Sequence, residues 1–161
     1  MAAKSPYITR QGYDALLEES QTLWRKRREV VQALAAAAAE GDRSENAEYI
    51  YRKKQLREMD RRIRYLQKRL PQLKVVDTRP GDSEKVFFSA EVTLEDEQGN
   101  ERIYRIVGAD EFDAKKNWIS VDSPMSRALL GKALGDEVRV RTPGGERLWY
   151  ILDIRYSSTG K

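Results

Sequence analysis

The sequence predicts an α+β protein: a long N-terminal antiparallel two-helix coiled-coil hairpin, then a C-terminal domain with a mostly antiparallel sheet. Three observations predict it. Two stretches of the first half carry seam residues at alternating steps of three and four. Those stretches mirror each other about a single point. The second half alternates short apolar runs with turns rich in Gly, Pro and Asn.

The first helix is predicted from a Thr9 cap to about Glu40, with Gly41 as the residue type that stops it. Its seam is Tyr13, Leu16, Ser20, Leu23, Arg27, Val30, Leu34 and Ala37. The second helix is predicted from near Ser44 to about Pro71, with a seam of Tyr49, Arg52, Leu56, Met59, Ile63, Leu66 and Leu70; Leu73 extends the spacing. Both follow the a/d rhythm of a coiled coil. Val30 pairs with Leu56, Leu23 with Ile63, Leu16 with Leu70 and Tyr13 with Leu73, every pair centred on residue 43. A common centre is what an antiparallel hairpin requires. At 1.5 Å per residue its arm is about 45 Å long. So thin an arm has little core, and it leans on the seam and on helix formers such as the run Ala35–Ala39.

In the second half, residues 85–96 read as a strand with Val86, Phe88, Ala90, Val92 and Leu94 on one face, and 96–100 as a turn. Strands follow at Ile103–Val107 and Trp118–Val121. Ser123 can cap a short helix with Pro124 at its first position, ending near Gly131. Glu137–Arg141 and Arg147–Tyr156 form a hairpin around Pro143-Gly144-Gly145.

Composition narrows the chemistry. The 161 residues include no Cys and no His, which excludes disulfides, thiol nucleophiles, structural zinc and imidazole mechanisms. Any metal must be held by oxygen, which favours hard ions such as magnesium. No run of 18 apolar residues and no hydrophobic signal core is present, so no membrane span is expected, and a cytoplasmic location is. Charge is uneven: residues 1–75 hold 17 Lys and Arg against 10 Asp and Glu, whereas residues 76–161 hold 13 against 16. A basic half attracts phosphate backbones. The turn-forming stretch from Asp77 to Gly81 marks a boundary, giving expected domains of 1–76, with an acidic tip at 41–45, and 77–161.

The predicted tip reads Gly41-Asp42-Arg43-Ser44-Glu45-Asn46-Ala47-Glu48-Tyr49. Its spacing admits two readings. Asp42 with Glu45 has the form of a capping box, and Ser44 is also a good N-cap. Alternatively, the two carboxylates hold one magnesium ion, which two ligands bind weakly unless another macromolecule completes the set. The second helix is crowded with Arg52, Lys53, Lys54, Arg57, Arg61, Arg62, Arg64, Lys68 and Arg69, facing Arg25 to Arg28 of the first. That face is either merely solvated or a nucleic-acid contact. Tyr49 and Tyr51 could stack on an unpaired base, or Tyr49 could pack in the seam.

These residues carry a resemblance. The tip segment is similar to that of the bacterial Gre transcript cleavage factors. Lys53 to Leu66, Lys85-Val86-Phe87-Phe88 and Trp149-Tyr150 look like their GreB branch. Tyr104 to Gly108, Ile119 to Met125 and Thr142 to Glu146 match the family's C-terminal domain. The resemblance implies an accessory transcription elongation factor rather than an enzyme. Its coiled coil would enter the secondary channel of RNA polymerase and stimulate cleavage of the nascent RNA 3′ end in backtracked complexes. Asp42 and Glu45 would be the catalytic and metal-binding pair, helping to hold Mg2+ together with the polymerase. Arg52, Lys53, Lys54, Arg57, Arg61 and Arg62 would contact RNA, and DNA is a further possible contact. The C-terminal domain would be FKBP-like, docking on the polymerase rim through Asp122, Ser123 and Pro124, and the factor would act as a monomer. Three other functions stay open: a channel-binding inhibitor, which the resemblance also admits because related channel-binding proteins share the shape, a basic coiled coil with a merely capped tip, and a prolyl isomerase read from fold alone.

Overall fold

The computed structural model describes residues 4–40, 46–77 and 81–156. Its contacts divide into two compact units, Asp14–Gln72 and a second made of Met1–Tyr13 with Leu73–Lys161.

The first unit is helical. Helix α1 spans Arg10–Ala38 and helix α2 spans Ala47–Arg69. Every predicted seam residue of both helices is buried or half-buried, from Tyr13 to Ala37 and from Tyr49 to Leu70. Leu16, Val30 and Ala37 of α1 and Met59, Ile63 and Leu66 of α2 are the most enclosed. Cross-helix ties set the direction. Arg27 grips Asp60 with Nε at 2.7 Å and Nη2 at 3.4 Å. Arg62 grips Glu19 at 2.7 and 2.9 Å. These pairs run in opposite order along the two helices, so the helices are antiparallel. Arg27, a seam cation, is tolerable because its guanidinium ends on Asp60; that hydrogen bond, and then the opposite charge, raise its pKa above the ordinary value.

Helix α2 begins later than the sequence predicts, at Ala47 rather than near Ser44. Asn46 occupies the N-cap and its side-chain oxygen accepts from the Tyr49 N–H at 3.0 Å. Gly41, Asp42, Arg43, Ser44 and Glu45 lie outside the described residues, as do 78–80 of the predicted boundary turn.

The second unit holds two sheets. Strand β1 (Tyr7–Ile8) pairs in parallel with β2 (Lys74–Val75), bringing the segment before α1 beside the segment after α2. The sequence reading missed this pairing because two-residue strands carry no periodicity. It also explains why residues up to Tyr13 join the C-terminal unit rather than the 1–76 domain expected. Thr9 is the predicted cap of α1, its hydroxyl oxygen accepting from the Gly12 N–H at 3.0 Å.

The larger sheet has the order β5-β4-β3-β7-β6, from β3 (Glu91–Asp96), β4 (Glu101–Val107), β5 (Trp118–Ser120), β6 (Glu137–Thr142) and β7 (Gly145–Arg155). All neighbours are antiparallel except β4 with β5. Helix α3 (Pro124–Leu129) packs on β5 and β6. Val92 and Leu94 of β3, Ile106, Val138, Val140, Trp149 and Ile151 form one core with Val86, Ala90 and Leu129. Residues 85–96 are not one continuous strand, as expected from their alternation. Ser89 takes φ 74°, which interrupts the strand before β3, although Val86 and Ala90 still point into the core.

Candidate functional site

The end of the hairpin is built by its last described residues. The Ala37 carbonyl accepts from the Glu40 N–H at 3.2 Å and from the Asn46 side-chain amide at 2.6 Å. Ala39 N–H is shared between the Ala35 and Ala36 carbonyls, both at 3.2 Å, a tightened last turn. Asn46 therefore does two jobs: its oxygen caps α2 and its amide holds the end of α1. Sequence reading assigned capping to Ser44 or to Asp42 with Glu45 and passed over Asn46. The available signal was Asn three residues ahead of Tyr49, a cap spacing as good as either alternative. Asp42 and Glu45 themselves lie outside the described residues.

The six predicted RNA-contact cations divide sharply. Arg52 donates to Glu48 Oε1 at 2.9 Å and to Gln55 Oε1 at 3.0 Å, and its guanidinium lies 5.4 Å from the Tyr51 ring. Arg62 is held in the two-point grip of Glu19, and it also lies 5.3 Å from the Tyr65 ring. Lys53 sits over the ring of half-buried Tyr49 at 5.8 Å. Lys54, Arg57 and Arg61 are exposed. No ion pair to them is present among the described residues.

The predicted docking segment sits between β5 and α3. Ser123 is the N-cap of α3, with its oxygen accepting from the Ser126 N–H at 3.2 Å and Pro124 following in the first turn. Asp122 is engaged in two directions: its Oδ2 accepts from the Ser5 N–H at 2.9 Å, while its own N–H donates to Ser120 Oγ at 3.1 Å. Beside it lies a hollow of about 330 Å³, lined by Phe112, Ala114, Trp118, Ile119, Ser120 and Ser123. Phe112 is 65% exposed there. Arg105 and Lys116 lie 5.2 and 4.6 Å from the Trp118 ring. Sequence reading found the segment but not the apolar hollow, because Phe112 and Trp118 are joined only by the fold.

Among the described residues no helix is long and apolar enough to cross a membrane. No group of three or more acidic side chains that could hold a metal ion occurs among them either.

Comparison with known proteins places this architecture. Residues 6–75 match the N-terminal domain of the transcription elongation factor family, and residues 81–156 match the GreA/GreB C-terminal domain. Over 155 residues the chain is 61% identical to transcription elongation factor GreB of Yersinia pestis, spanning 96% of this chain and 91% of that protein. It is 58% identical to GreB of Pasteurella multocida over 96% of this chain and 98% of the relative. GreA factor homolog 1 of Thermus thermophilus is a solved structure similar over 94% of this chain and 99% of its own, at 24% identity and a TM-score of 0.43. The chain belongs to the GreA/GreB family of transcription elongation factors and is of the GreB type.

Proposed function

We propose that this elongation factor binds RNA polymerase, reaches into its secondary channel with the α1–α2 hairpin, and stimulates magnesium-dependent cleavage of the nascent RNA 3′ end in backtracked complexes. One observation carries the reading. Two seam-packed antiparallel helices are tied together at their ends by Asn46, and the sequence between those ends holds Asp42 and Glu45. A slender hairpin is a poor way to build a core and a good way to deliver carboxylates into an enclosed site.

The chain's own residues have distinct tasks. Asp42 and Glu45 supply anionic oxygens, the donor type that a hard divalent ion prefers. Two ligands suit a shared magnesium ion better than one held by this chain alone. Once bound between factor and polymerase, such an ion lowers the charge barrier to in-line phosphodiester hydrolysis. The polymerase remains the enzyme and this chain its accessory. Asp122, Ser123 and Pro124, with the hollow at Phe112 and Trp118, form the surface that anchors the factor outside the channel. Exposed cations of α2 offer charge to the extruded RNA.

The test is cleavage of a stalled elongation complex, with and without magnesium. Asp42→Asn with Glu45→Gln is expected to abolish stimulated cleavage while polymerase affinity stays within about threefold. Cleavage at the wild-type rate would return the tip to a capping role. Competition for the channel with no cleavage by the wild type would make the factor an inhibitor.

A further inference from the structure

The two outer strands of the five-stranded sheet are finished differently. At β5 the edge is closed, because Trp118 exchanges both backbone hydrogen bonds with Asp113, at 2.9 and 3.0 Å. At β6 it is open. The Ile151 N–H donates to the Asp136 carbonyl at 3.0 Å, in register with the β6–β7 ladder. Opposed pairs in an antiparallel ladder alternate between bonded and non-bonded. Val138, Val140 and Thr142 therefore turn their backbone groups towards β7, while Glu137, Arg139 and Arg141 turn theirs outward. Those outward N–H and carbonyl groups have no backbone partner among the described residues. Beside this edge runs a groove of about 620 Å³, with Arg127, Ala128, Leu130 and Lys132 on one side and β6 from Glu137 to Arg139 on the other. Val138 and Val140 are buried in the core with Leu129 of α3, whereas Glu137, Arg139 and Arg141 are exposed on the opposite face. Arg127, Lys132 and Arg141 form no ion pair among the described residues, and Arg139 reaches only exposed Glu146, at 3.2 Å. Charges on an edge strand keep arbitrary strands away. Here four cations stand against Glu137, so the edge repels basic strands and attracts acidic ones.

We propose that β6 is a docking edge for an extended, acidic polypeptide segment of a partner protein, which joins the sheet as a further strand. The outward groups of Glu137, Arg139 and Arg141 pair with the partner's backbone and supply the affinity. Successive side chains of an added strand point to opposite faces. Those on the α3 side meet Ala128 and Leu130 in the groove, and those on the other face stand beside Arg139 and Arg141. The segment that fits best therefore alternates small apolar residues with Asp or Glu. A second copy of this chain is a poorer occupant, because a symmetric pairing centred on Arg139 sets two guanidiniums against each other. RNA is poorer as well: its phosphates accept hydrogen bonds and have none to donate to the outward carbonyls. The proposal does not depend on the function proposed above.

The test uses the full chain and two capped hexapeptides of one composition, Val-Glu-Val-Glu-Val-Glu and Val-Val-Val-Glu-Glu-Glu. Amide hydrogen exchange is followed by NMR at low salt. In the free chain the amides of Glu137, Arg139 and Arg141 should exchange fast, and those of Val138 and Val140 slowly. With the alternating peptide at about ten times its Kd, the three outward amides should slow about tenfold. The block peptide, equal in charge but wrong in period, should bind at least about threefold more weakly. Arg139→Gln/Arg141→Gln should weaken the alternating peptide about fivefold, the loss of two exposed charge pairs, and leave Tm unchanged. Equal affinity for the two peptides, or binding that leaves the three amides fast, would mean a charge contact with no added strand and would overturn the proposal. So would no binding of the alternating peptide at about millimolar concentration. Slow exchange of the three amides in the free chain that fades on dilution would assign the edge to a second copy. Tighter binding of an oligouridylate at these same residues would assign it to nucleic acid.

Discussion

The side-chain amide of Asn46 donates to the carbonyl oxygen of Ala37 at 2.6 Å, joining the start of one helix to the end of the other. Its oxygen meanwhile accepts from the Tyr49 N–H. Asn46→Asp keeps the cap acceptor and loses the amide donor, whereas Asn46→Ala loses both. The Asn46→Ala change is expected to cost about 1–2 kcal/mol of hairpin stability, and Asn46→Asp clearly less. If the tie also presents the tip, both variants lower stimulated cleavage while polymerase affinity holds. Thermal melts combined with cleavage assays separate the two effects. A full rate for Asn46→Asp would confine Asn46 to capping.

Glu111 organises the entry to α1. Its carboxylate accepts from the Thr9 N–H at 3.0 Å, from the Gly108 N–H at 2.7 Å, and from the Thr9 hydroxyl in a short hydrogen bond. Thr9 is buried, so these donors have little water to fall back on. A Cβ at Gly12 would overlap the same carboxylate, and one at Gly108 would overlap the Tyr7 carbonyl. Glu111→Ala should destabilise the C-terminal unit by about 2–4 kcal/mol, read by urea denaturation. Gly12→Ala should be destabilising as well, although alanine is the better helix former. A neutral Gly12→Ala would show that the carboxylate has room to move.

Asp96 sets an acid limit. It accepts from the Gln98 and Asn100 N–H groups at 2.9 Å each and lies 3.6 Å from the Arg147 guanidinium. Its pKa is lowered, chiefly by the Asn100 N–H, with burial opposing and Gln98 and Arg147 adding to the effect. A carboxyl whose folded pKa is depressed contributes stability above the unfolded value, near 4, and loses it as pH falls through the lower folded value. The stability difference between wild type and Asp96→Asn should be constant at neutral pH and shrink below about pH 4. A difference independent of pH down to about 2 would remove Asp96 from the acid limb.

Much of the hairpin was legible because a coiled-coil seam is a local, periodic signal. The seam residues from Tyr13 to Ala37 and from Tyr49 to Leu70 are all buried or half-buried, as their spacing required. The turn at Asp96 to Asn100, the Ser123 cap and the Glu137–Arg141 strand were legible for the same reason, since short-range chemistry decides them. The chain by itself also decided the absence of thiol and imidazole chemistry and placed two acids at the predicted turn.

Other features depended on partners distant in sequence. Tyr7 beside Lys74, Ser5 on Asp122 and Thr9 on Glu111 join residues 67 to 117 positions apart, and no periodicity announces such pairings. The division of the α2 cations is the sharpest case. Arg61 and Arg62 are neighbours of one type, yet Arg62 is held by Glu19 and Arg61 is exposed. Composition sees two arginines. Only the helix phase and the position of an acid on the opposite helix decide which one is left to meet a phosphate.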